Sequence, residues 1–489
     1  MNKYLQAVSA NFIFLALNTI FFLVITPLAI DIMGAEFYGL WTILYAIALF
    51  SNVGTLGITA ITNKFSAEFS SDSETHTRAV LTSGFLIIAV MAVLVSAVLF
   101  LTRGMIAASV ETSPKIRSEL SLAILWIAWG ILPQFLAKVI QGYFLSQYQN
   151  SFVRTLDFLG NSLPWVGAVL LFRVDPDLVT LAAWFFGVQV VILLVYVFML
   201  QVRVRFRFEM DKKVFRAMFG FSRYMFLESV AIALFQQFDR ILVGFLLGPA
   251  TAGVYAVGTS LGLRLPIVTG QATEVMIPYA SSKDSLGDHP KLYETFRKLA
   301  RYTGMLAAGI GILLILFMDL LLALWISPEY SIQYSAVFRI IILAYTLLSM
   351  VRAGHQTLTG LGQVRFTSLT YLAGTLAMLL ALGLLAGQWG LLGAAVANLS
   401  MVFLLIFDLK VYRSISSGGT WGHILQDLGL PIMLSLLAYG LSLLHLSTLH
   451  RAFILALLWS PLIVKVMRDK VFRNQIRDII RSERFRSLL

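Results

Sequence analysis

The sequence predicts an all-α polytopic membrane protein with about 14 transmembrane helices. They are expected to form two parallel six-helix repeats around a central cavity, plus two C-terminal helices. Three observations lead there. Hydrophobic residues make up 58% of the 489, while charged residues make up only 13%, about half the soluble-protein share of roughly 25%. Apolar runs of the ~20 residues that cross a bilayer recur along the whole chain. Lys and Arg alternate between the two sides that those runs define.

The composition also excludes classes. A single soluble core rarely grows beyond ~250–300 residues, and disorder requires low hydrophobicity. The chain has no cysteine, so a disulfide framework, a thiolate metal site and a cysteine nucleophile are all excluded.

Taken in order, helices are expected at 10–32, 38–58, 79–101, 121–145, 153–172, 179–202, 219–247, 250–279, 301–326, 332–358, 366–387, 390–412, 427–446 and 452–467. The first begins near residue 10 without a small-residue cleavage site, so it reads as a retained span and not a signal peptide. Asp239-Arg240 and Arg264 interrupt the seventh and eighth. Transmembrane β-strands are excluded, because the runs are too long and lack period-two alternation. On this count, 29 of the 37 Lys and Arg fall on one side and seven on the other, with Arg264 left inside a span. Cytoplasmic loops are enriched in Lys and Arg, so both termini are expected in the cytoplasm. The formal charge of +12 therefore marks a membrane face, not a nucleic-acid footprint.

An internal repeat organises these spans. Met33-Gly34-Ala35-Glu36-Phe37-Tyr38-Gly39-Leu40-Trp41 matches Leu247-Gly248-Pro249-Ala250-Thr251-Ala252-Gly253-Val254-Tyr255 in pattern, 214 residues on. Gln141 to Gly160 resembles Gln356 to Gly374, and Leu178 to Ala183 resembles Leu391 to Val396, in the same order at nearly the same offset. Six helices per copy put both copies the same way round. Parallel repeats of this kind carry their site between them. The expected divisions are an N-terminal bundle at 1–202, a basic cytoplasmic linker at 203–218, and a C-terminal bundle at 219–412. Helices 13 and 14 then occupy 413–467, and a basic cytoplasmic tail 468–489. In that tail Phe472, Ile476, Ile479 and Ile480 have helical spacing, as expected for a helix lying on the anionic inner surface.

Two six-helix halves, two extra helices and this glycine turn resemble the multidrug/oligosaccharidyl-lipid/polysaccharide exporter superfamily, in particular its polysaccharide branch of O-antigen and exopolysaccharide flippases. Phe238-Asp239-Arg240-Ile241-Leu242-Val243-Gly244-Phe245-Leu246-Leu247-Gly248, running on through Gly253-Val254-Tyr255-Ala256, carries the resemblance. Pro278 and Gly390-Leu391-Leu392-Gly393-Ala394-Ala395 add to it. The resemblance implies a flippase that moves a polyprenyl-pyrophosphate-linked oligosaccharide across the bacterial inner membrane by alternating access. Membrane lipids would surround it, and a polysaccharide polymerase and glycosyltransferases would be neighbouring partners. A drug/cation antiporter of the same superfamily and a membrane-embedded glycan polymerase or ligase are the alternatives.

Charges inside spans cost roughly 2.5–3.5 kcal/mol each on the insertion scale, so they point to function. A glycan on a pyrophosphate needs a hydrated, cationic cleft, because each sugar group stripped of water costs several kcal/mol. Arg264 is the first candidate to line that cleft, with Arg240, Arg352, Lys64 and Gln271 as further substrate-binding candidates. An internal ion pair of Arg264 with Asp239 or Glu274 is the competing reading. Arg352, Lys64 and Lys138 also fit the role of orientation anchors near cytoplasmic ends. Asp239, Glu228 and Glu274 are candidates for H+ or Na+ coupling, since a buried carboxylate can change charge in a cycle. His355 is read as a packing residue, and the glycine pairs Gly258/Gly262 and Gly383/Gly387 as close-packing positions. Neither a phosphate-binding Gly-x-x-x-x-Gly-Lys-Ser/Thr loop nor a His-Glu-x-x-His pair occurs. No enzyme activity, bound cofactor, metal or nucleic-acid partner is expected.

Overall fold

Inside a bilayer every backbone N–H and C=O must find a partner within the chain, which leaves helices as the open choice for apolar runs. The computed structural model shows that outcome, in an all-α membrane protein. It describes residues 3–68, 74–415, 421–444 and 446–467. Side chains at 3–12, 67–68, 74, 221–229, 231–232, 278, 421 and 465–467 lie outside the described residues, as does the expected amphipathic tail.

The helices are α1 (Lys3–Phe50), α2 (Ile58–Glu68), α3 (Glu74–Ala108), α4 (Pro114–Ser146), α5 (Asn150–Phe172), α6 (Leu178–Val204), α7 (Lys212–Ala233), α8 (Asp239–Leu247) and α9 (Pro249–Thr273). They continue as α10 (Met276–Ser285), α11 (His289–Leu316), α12 (Met318–Trp325), α13 (Pro328–Met350), α14 (Arg352–Gly360), α15 (Val364–Ala397), α16 (Ile406–Ile415), α17 (Trp421–Ser442) and α18 (Thr448–Met467). Among the described residues nine helical stretches are long and apolar enough to cross a membrane. Two of them, Ile13–Thr55 and Val364–Ile415, have 43 and 52 residues. At 1.5 Å per residue each exceeds the ~30 Å hydrocarbon thickness about twofold. Both are broken by glycine in a left-handed conformation, at Gly34 (φ 72°) and at Gly390 (φ 56°).

The repeat read from sequence recurs as local geometry. Gly34 and Gly248 have φ/ψ of 72°/166° and 83°/166°, a left-handed turn that only glycine adopts at little cost. Tyr148 and Gly362, again 214 apart, both take positive φ. Beside each, a helix closes with the same long bond: Gln149 N donates to Phe144 O at 3.0 Å, and Gln363 N to Leu358 O at 2.9 Å. Ser113-Pro114 and Ser327-Pro328 begin α4 and α13 identically. Each serine hydroxyl accepts from the third residue on, at 3.4 and 3.1 Å, and proline takes the first helical position, where no N–H is needed. The Ser-Pro pair thus extends the sequence repeat at the same offset of 214.

Two compact units can be described. The first comprises Met1–Val257 with Tyr371–Ala394, the second Gly258–Thr370 with Ala395–Leu489. In the first, Phe135, Ile140 and Phe144 on α4 form a core with Ile61 of α2, Val80 of α3 and Tyr196 of α6. The basic linker is strapped to α3: Arg78 donates to Val204 O at 3.4 Å, and Glu209 N to the Thr82 hydroxyl at 3.0 Å. The second glycines of the duplicated turn touch each other. A Cβ on Gly253 would stand 2.9 Å from the Tyr38 ring and 3.1 Å from Gly39 Cα, while one on Gly39 would overlap the Pro249 carbonyl. Equivalent residues meet in this way where two copies face each other. Gly39→Val is therefore expected to destabilise this unit by ~1–3 kcal/mol, the usual cost of overpacking, or to block folding, because backbone cannot yield as a side chain can. Thermal unfolding in detergent checks this, and an unchanged midpoint would remove the close contact.

In the second unit α11 presents small residues to its neighbours. A Cβ on Gly304 would stand 2.7 Å from Leu428 of α17, and one on Gly311 would overlap Thr346 of α13. Gly258 and Gly262 of α9 pack likewise on Ile341 and Tyr345 of α13, at 2.8 and 2.6 Å. In hydrocarbon, such close approach replaces the hydrophobic effect as the force between helices. The pair Gly383/Gly387 does not act this way. Among the described residues no atom of a neighbouring element stands within 4 Å of a Cβ at either position, which corrects the packing role expected for them. α1 and α9 also continue as helix through Pro27 and Pro266.

Candidate functional site

In the first unit the seventh apolar run is not one regular helix. α7 ends at Ala233, and Leu234–Phe238 winds into a π-turn before α8 starts at Asp239. Wide turns of this kind recur at functional sites, because they re-aim the residues that follow. Asp239 heads α8 and is buried at 1% exposure. Its carboxylate accepts from the Arg240 N–H at 2.8 Å and from the Tyr255 hydroxyl at 3.1 Å. Tyr255 belongs to the repeated turn motif, so the Gly-x-Tyr stretch and the Asp-Arg pair form one arrangement. Arg240 is half-buried and lies within electrostatic reach of Asp239 and Tyr38. Glu228 lies on α7, with its side chain outside the described residues.

A second polar group in that unit joins α4 and α5. Asp157 accepts from Gln141 at 2.8 and 3.0 Å and pairs with Lys138 at 3.6 Å and Arg154 at 3.7 Å. Lys138 and Arg352 occupy equivalent positions of the repeat. Lys64 is exposed near the end of α2, with its ammonium 5.5 Å from the Phe65 ring centre.

In the second unit Arg264 is half-buried in the middle of α9, with Pro266 two residues on. Gly270 and Gln271 follow on the same helix. Arg352, first residue of α14, lays its guanidinium against Gly270, where a Cβ would stand 3.0 Å from Nη2. Glycine there leaves room for the cation. Arg352 Nε and Gln271 Oε1 are both buried and lack a hydrogen-bond partner among the described residues. A donor and an acceptor held so, on and against a helix that also carries Arg264 two turns earlier, suit a ligand rich in hydroxyls and anionic oxygen, since an unmet buried polar atom costs ~1–3 kcal/mol. Glu274 does not share their burial: it is exposed in the turn after α9. The His355 ring stands edge-on to Phe407, 5.3 Å between centres.

Sequence reading missed the most buried carboxylates of this unit. Asp408 on α16 is wholly buried against the first turn of α14, where a Cβ on Gly354 would stand 2.8 Å from its Oδ1. Asp427 on α17, equally buried, accepts from Arg297 at 2.7 and 3.1 Å, from Arg301 at 2.6 Å, and from the Tyr412 hydroxyl at 2.8 Å. Asp319 heads α12 and pairs with Arg451 of α18 and, at 3.5 Å, with Arg339 of α13. At the turn into α11, Lys283 donates to Asp288 at 3.0 Å and holds that carboxyl below its ordinary range. Lys and Arg spacing shows which residues carry charge, but not which distant carboxylate each one meets. Among the described residues no group of three His, Asp or Glu could hold a metal ion.

Comparison with known proteins adds to this geometry. A family described as polysaccharide biosynthesis protein matches residues 32–333. A protein of Shigella flexneri named "Putative O-antigen transporter" is 20% identical over 185 residues, 38% of this chain, and the match spans 44% of that relative's length. Among solved structures, an inward-facing multidrug resistance MATE family transporter of the MOP superfamily superposes with a TM-score of 0.69 at 12% identity, over 81% of this chain and 94% of that one. The lipid II flippase MurJ in an inward closed conformation gives 0.67 at 13% identity, over 96% and 100% of the two chains. Both likenesses concern the fold.

Proposed function

The chain belongs to the polysaccharide biosynthesis protein family, and from that premise we propose that it is a flippase for lipid-linked oligosaccharide. In this reading fourteen crossings form two parallel six-helix halves, 1–202 and 219–412, joined by the basic linker, with both termini in the cytoplasm of a bacterial cell. The halves rock about a cleft between them, which opens to each side in turn. The substrate is a polyprenyl-pyrophosphate glycan, and no covalent step on it is required of this chain.

The observation that carries the reading is the set Arg264, Gln271 and Arg352, held half-buried in an apolar bundle with an unmet donor and an unmet acceptor. The guanidinium groups would attract the pyrophosphate, with charge-assisted bonds roughly twice as strong as neutral ones. Gln271 would replace water around sugar hydroxyls. Arg240 and Lys64 would add positive potential on the way in. Asp239 is the carboxylate proposed to exchange H+ or Na+ during the cycle. Its carboxylate is enclosed and is met by the Tyr255 hydroxyl and the Arg240 N–H.

Deleting the gene and extracting polyprenyl-linked glycans tests the reading. Accumulation on the cytoplasmic face is expected. Unchanged glycans with lost drug resistance would replace the flippase by the antiporter. Normal translocation with unpolymerised units outside would point to a polymerase. For coupling, Asp239→Asn in vesicles should remove the response to an imposed H+ or Na+ gradient; an unchanged response would acquit Asp239.

A further inference from the structure

An apolar groove runs along an exposed apolar side of the first unit between α3 and α4, away from every residue assigned above. It has a volume of about 290 Å³ and is lined by Ala92, Ser96 and Phe100 of α3 and by Leu125, Trp129 and Leu132 of α4. Its one hydroxyl is already used: Ser96 donates to Ala128 O at 2.7 Å. The lining is thus suited to hydrocarbon alone.

One end of the groove is different. Arg103, one turn beyond Phe100 on α3, places its guanidinium over the Phe100 ring at 4.2 Å from the ring centre. Its Nη1 is buried and has no hydrogen-bond partner among the described residues. A cation held over an aromatic face keeps a fixed direction, and an unmet buried N–H there is unfavourable unless something accepts it. Nine residues of helix separate Ala92 from Leu101, a rise of about 13 Å. That is close to the depth of one leaflet, about half of the ~30 Å hydrocarbon.

We infer that this groove is a binding site for one anionic phospholipid, with an acyl chain lying against Trp129 and Leu132 and the phosphate on Arg103. Two features select that occupant. Arg103 sits where a headgroup would be, so a zwitterionic or anionic phosphate is required, and net negative charge is favoured because among the described residues no carboxylate pairs with Arg103. The length matches one acyl chain in one leaflet, whereas a polyprenyl chain would overrun it severalfold. Since α3 and α4 pack closely here, with Ser96 bonded across, a seated lipid would brace the pair like a further packed side chain.

The experiment uses the whole chain in detergent. Delipidated protein is titrated with phosphatidylglycerol and with phosphatidylcholine of identical acyl chains, reading the thermal midpoint and the lipid retained by native mass spectrometry. Phosphatidylglycerol is expected to raise the midpoint by several degrees more than phosphatidylcholine and to be retained as one molecule. Arg103→Gln should abolish the difference between the two lipids. Ala97→Phe, which fills the exposed middle of the groove, should lower retention of both at least fivefold. Equal response to the two lipids, or full retention by Ala97→Phe, would overturn the site. Displacement of phosphatidylglycerol by equimolar polyprenyl phosphate would also overturn it and give the groove to the glycan carrier. Because the assay involves no transport, its failure leaves the flippase reading untouched, and failure of that reading leaves the groove.

Discussion

Arg264→Ala should reduce glycan translocation at least tenfold while the protein stays in the membrane at its usual level. The two halves of that expectation rest on opposite signs. A cation within a span costs roughly 2.5–3.5 kcal/mol on insertion, so removing it lowers that cost, and the membrane level of the variant is measured beside its transport. The lost attraction is a charge-assisted one of ~1.5–3 kcal/mol, which corresponds to about 10- to 160-fold. Arg264→Lys keeps the charge but loses the planar fork that meets phosphate through two bonds. It should fall between alanine and wild type. Transport is read as protease- or enzyme-accessible glycan outside the cytoplasmic membrane, normalised to protein. Full transport by Arg264→Ala would remove the residue from the substrate path. Full transport by Arg264→Lys with loss in alanine would reduce its role to a point charge. Gly270→Ala offers an independent check on Arg352, because a Cβ 3.0 Å from Nη2 must displace that guanidinium without changing any charge.

The sequence showed different parts of this protein with different sharpness, for physical reasons. Helices were legible because twenty apolar residues in a bilayer leave few alternatives. The repeat was legible wherever backbone geometry restricts residue choice: a left-handed turn selects Gly34 and Gly248, and a helix start selects Ser113-Pro114 and Ser327-Pro328. Tyr148 against Gly362 shows the limit, since the same positive φ is met once without glycine. Gly383 and Gly387 have the spacing of a contact but no neighbour among the described residues, because spacing describes one helix and packing needs two. The seventh span was marked by Asp239 and Arg240, yet nothing in its sequence announced the π-turn before them. Carboxylates were judged by their place in apolar runs. That rule found Asp239 but gave Glu274 a burial it does not have, and passed over Asp408 and Asp427, which stand two residues before Lys410 and six after Trp421 at what read as span edges.

Asp427 is where the largest loss of stability is expected. Its carboxylate is wholly enclosed, while its partners Arg297 and Arg301 are 26% and 31% exposed. They lie four apart on α11, so they share one face of that helix, and Asp427 reaches them from α17 some 126–130 residues later. Tyr412 of α16 supplies a further donor to the same carboxylate. Three helices are thus tied to one side chain. Removing one member of a buried ion pair costs ~3–5 kcal/mol, chiefly because a charge is left unpaired. Here the charges left behind by Asp427→Ala are arginines with partial access to water, so the low end, about 3 kcal/mol, is expected. Arg297→Ala should cost less, because Arg301 still neutralises the carboxylate. Reversing that order would mean that the enclosed carboxylate, and not the pair, sets the cost. Asp427→Asn separates charge from shape: it keeps the bond from Tyr412 but loses the attraction of both arginines, and should fall between Arg297→Ala and Asp427→Ala. Thermal unfolding in detergent, with α17 docking followed by protease cleavage within residues 416–420, reads both quantities. If all three variants unfold with wild-type midpoints, the triad does not hold α17 to α11, and apolar packing such as that of Leu428 and Pro431 on Gly304 suffices.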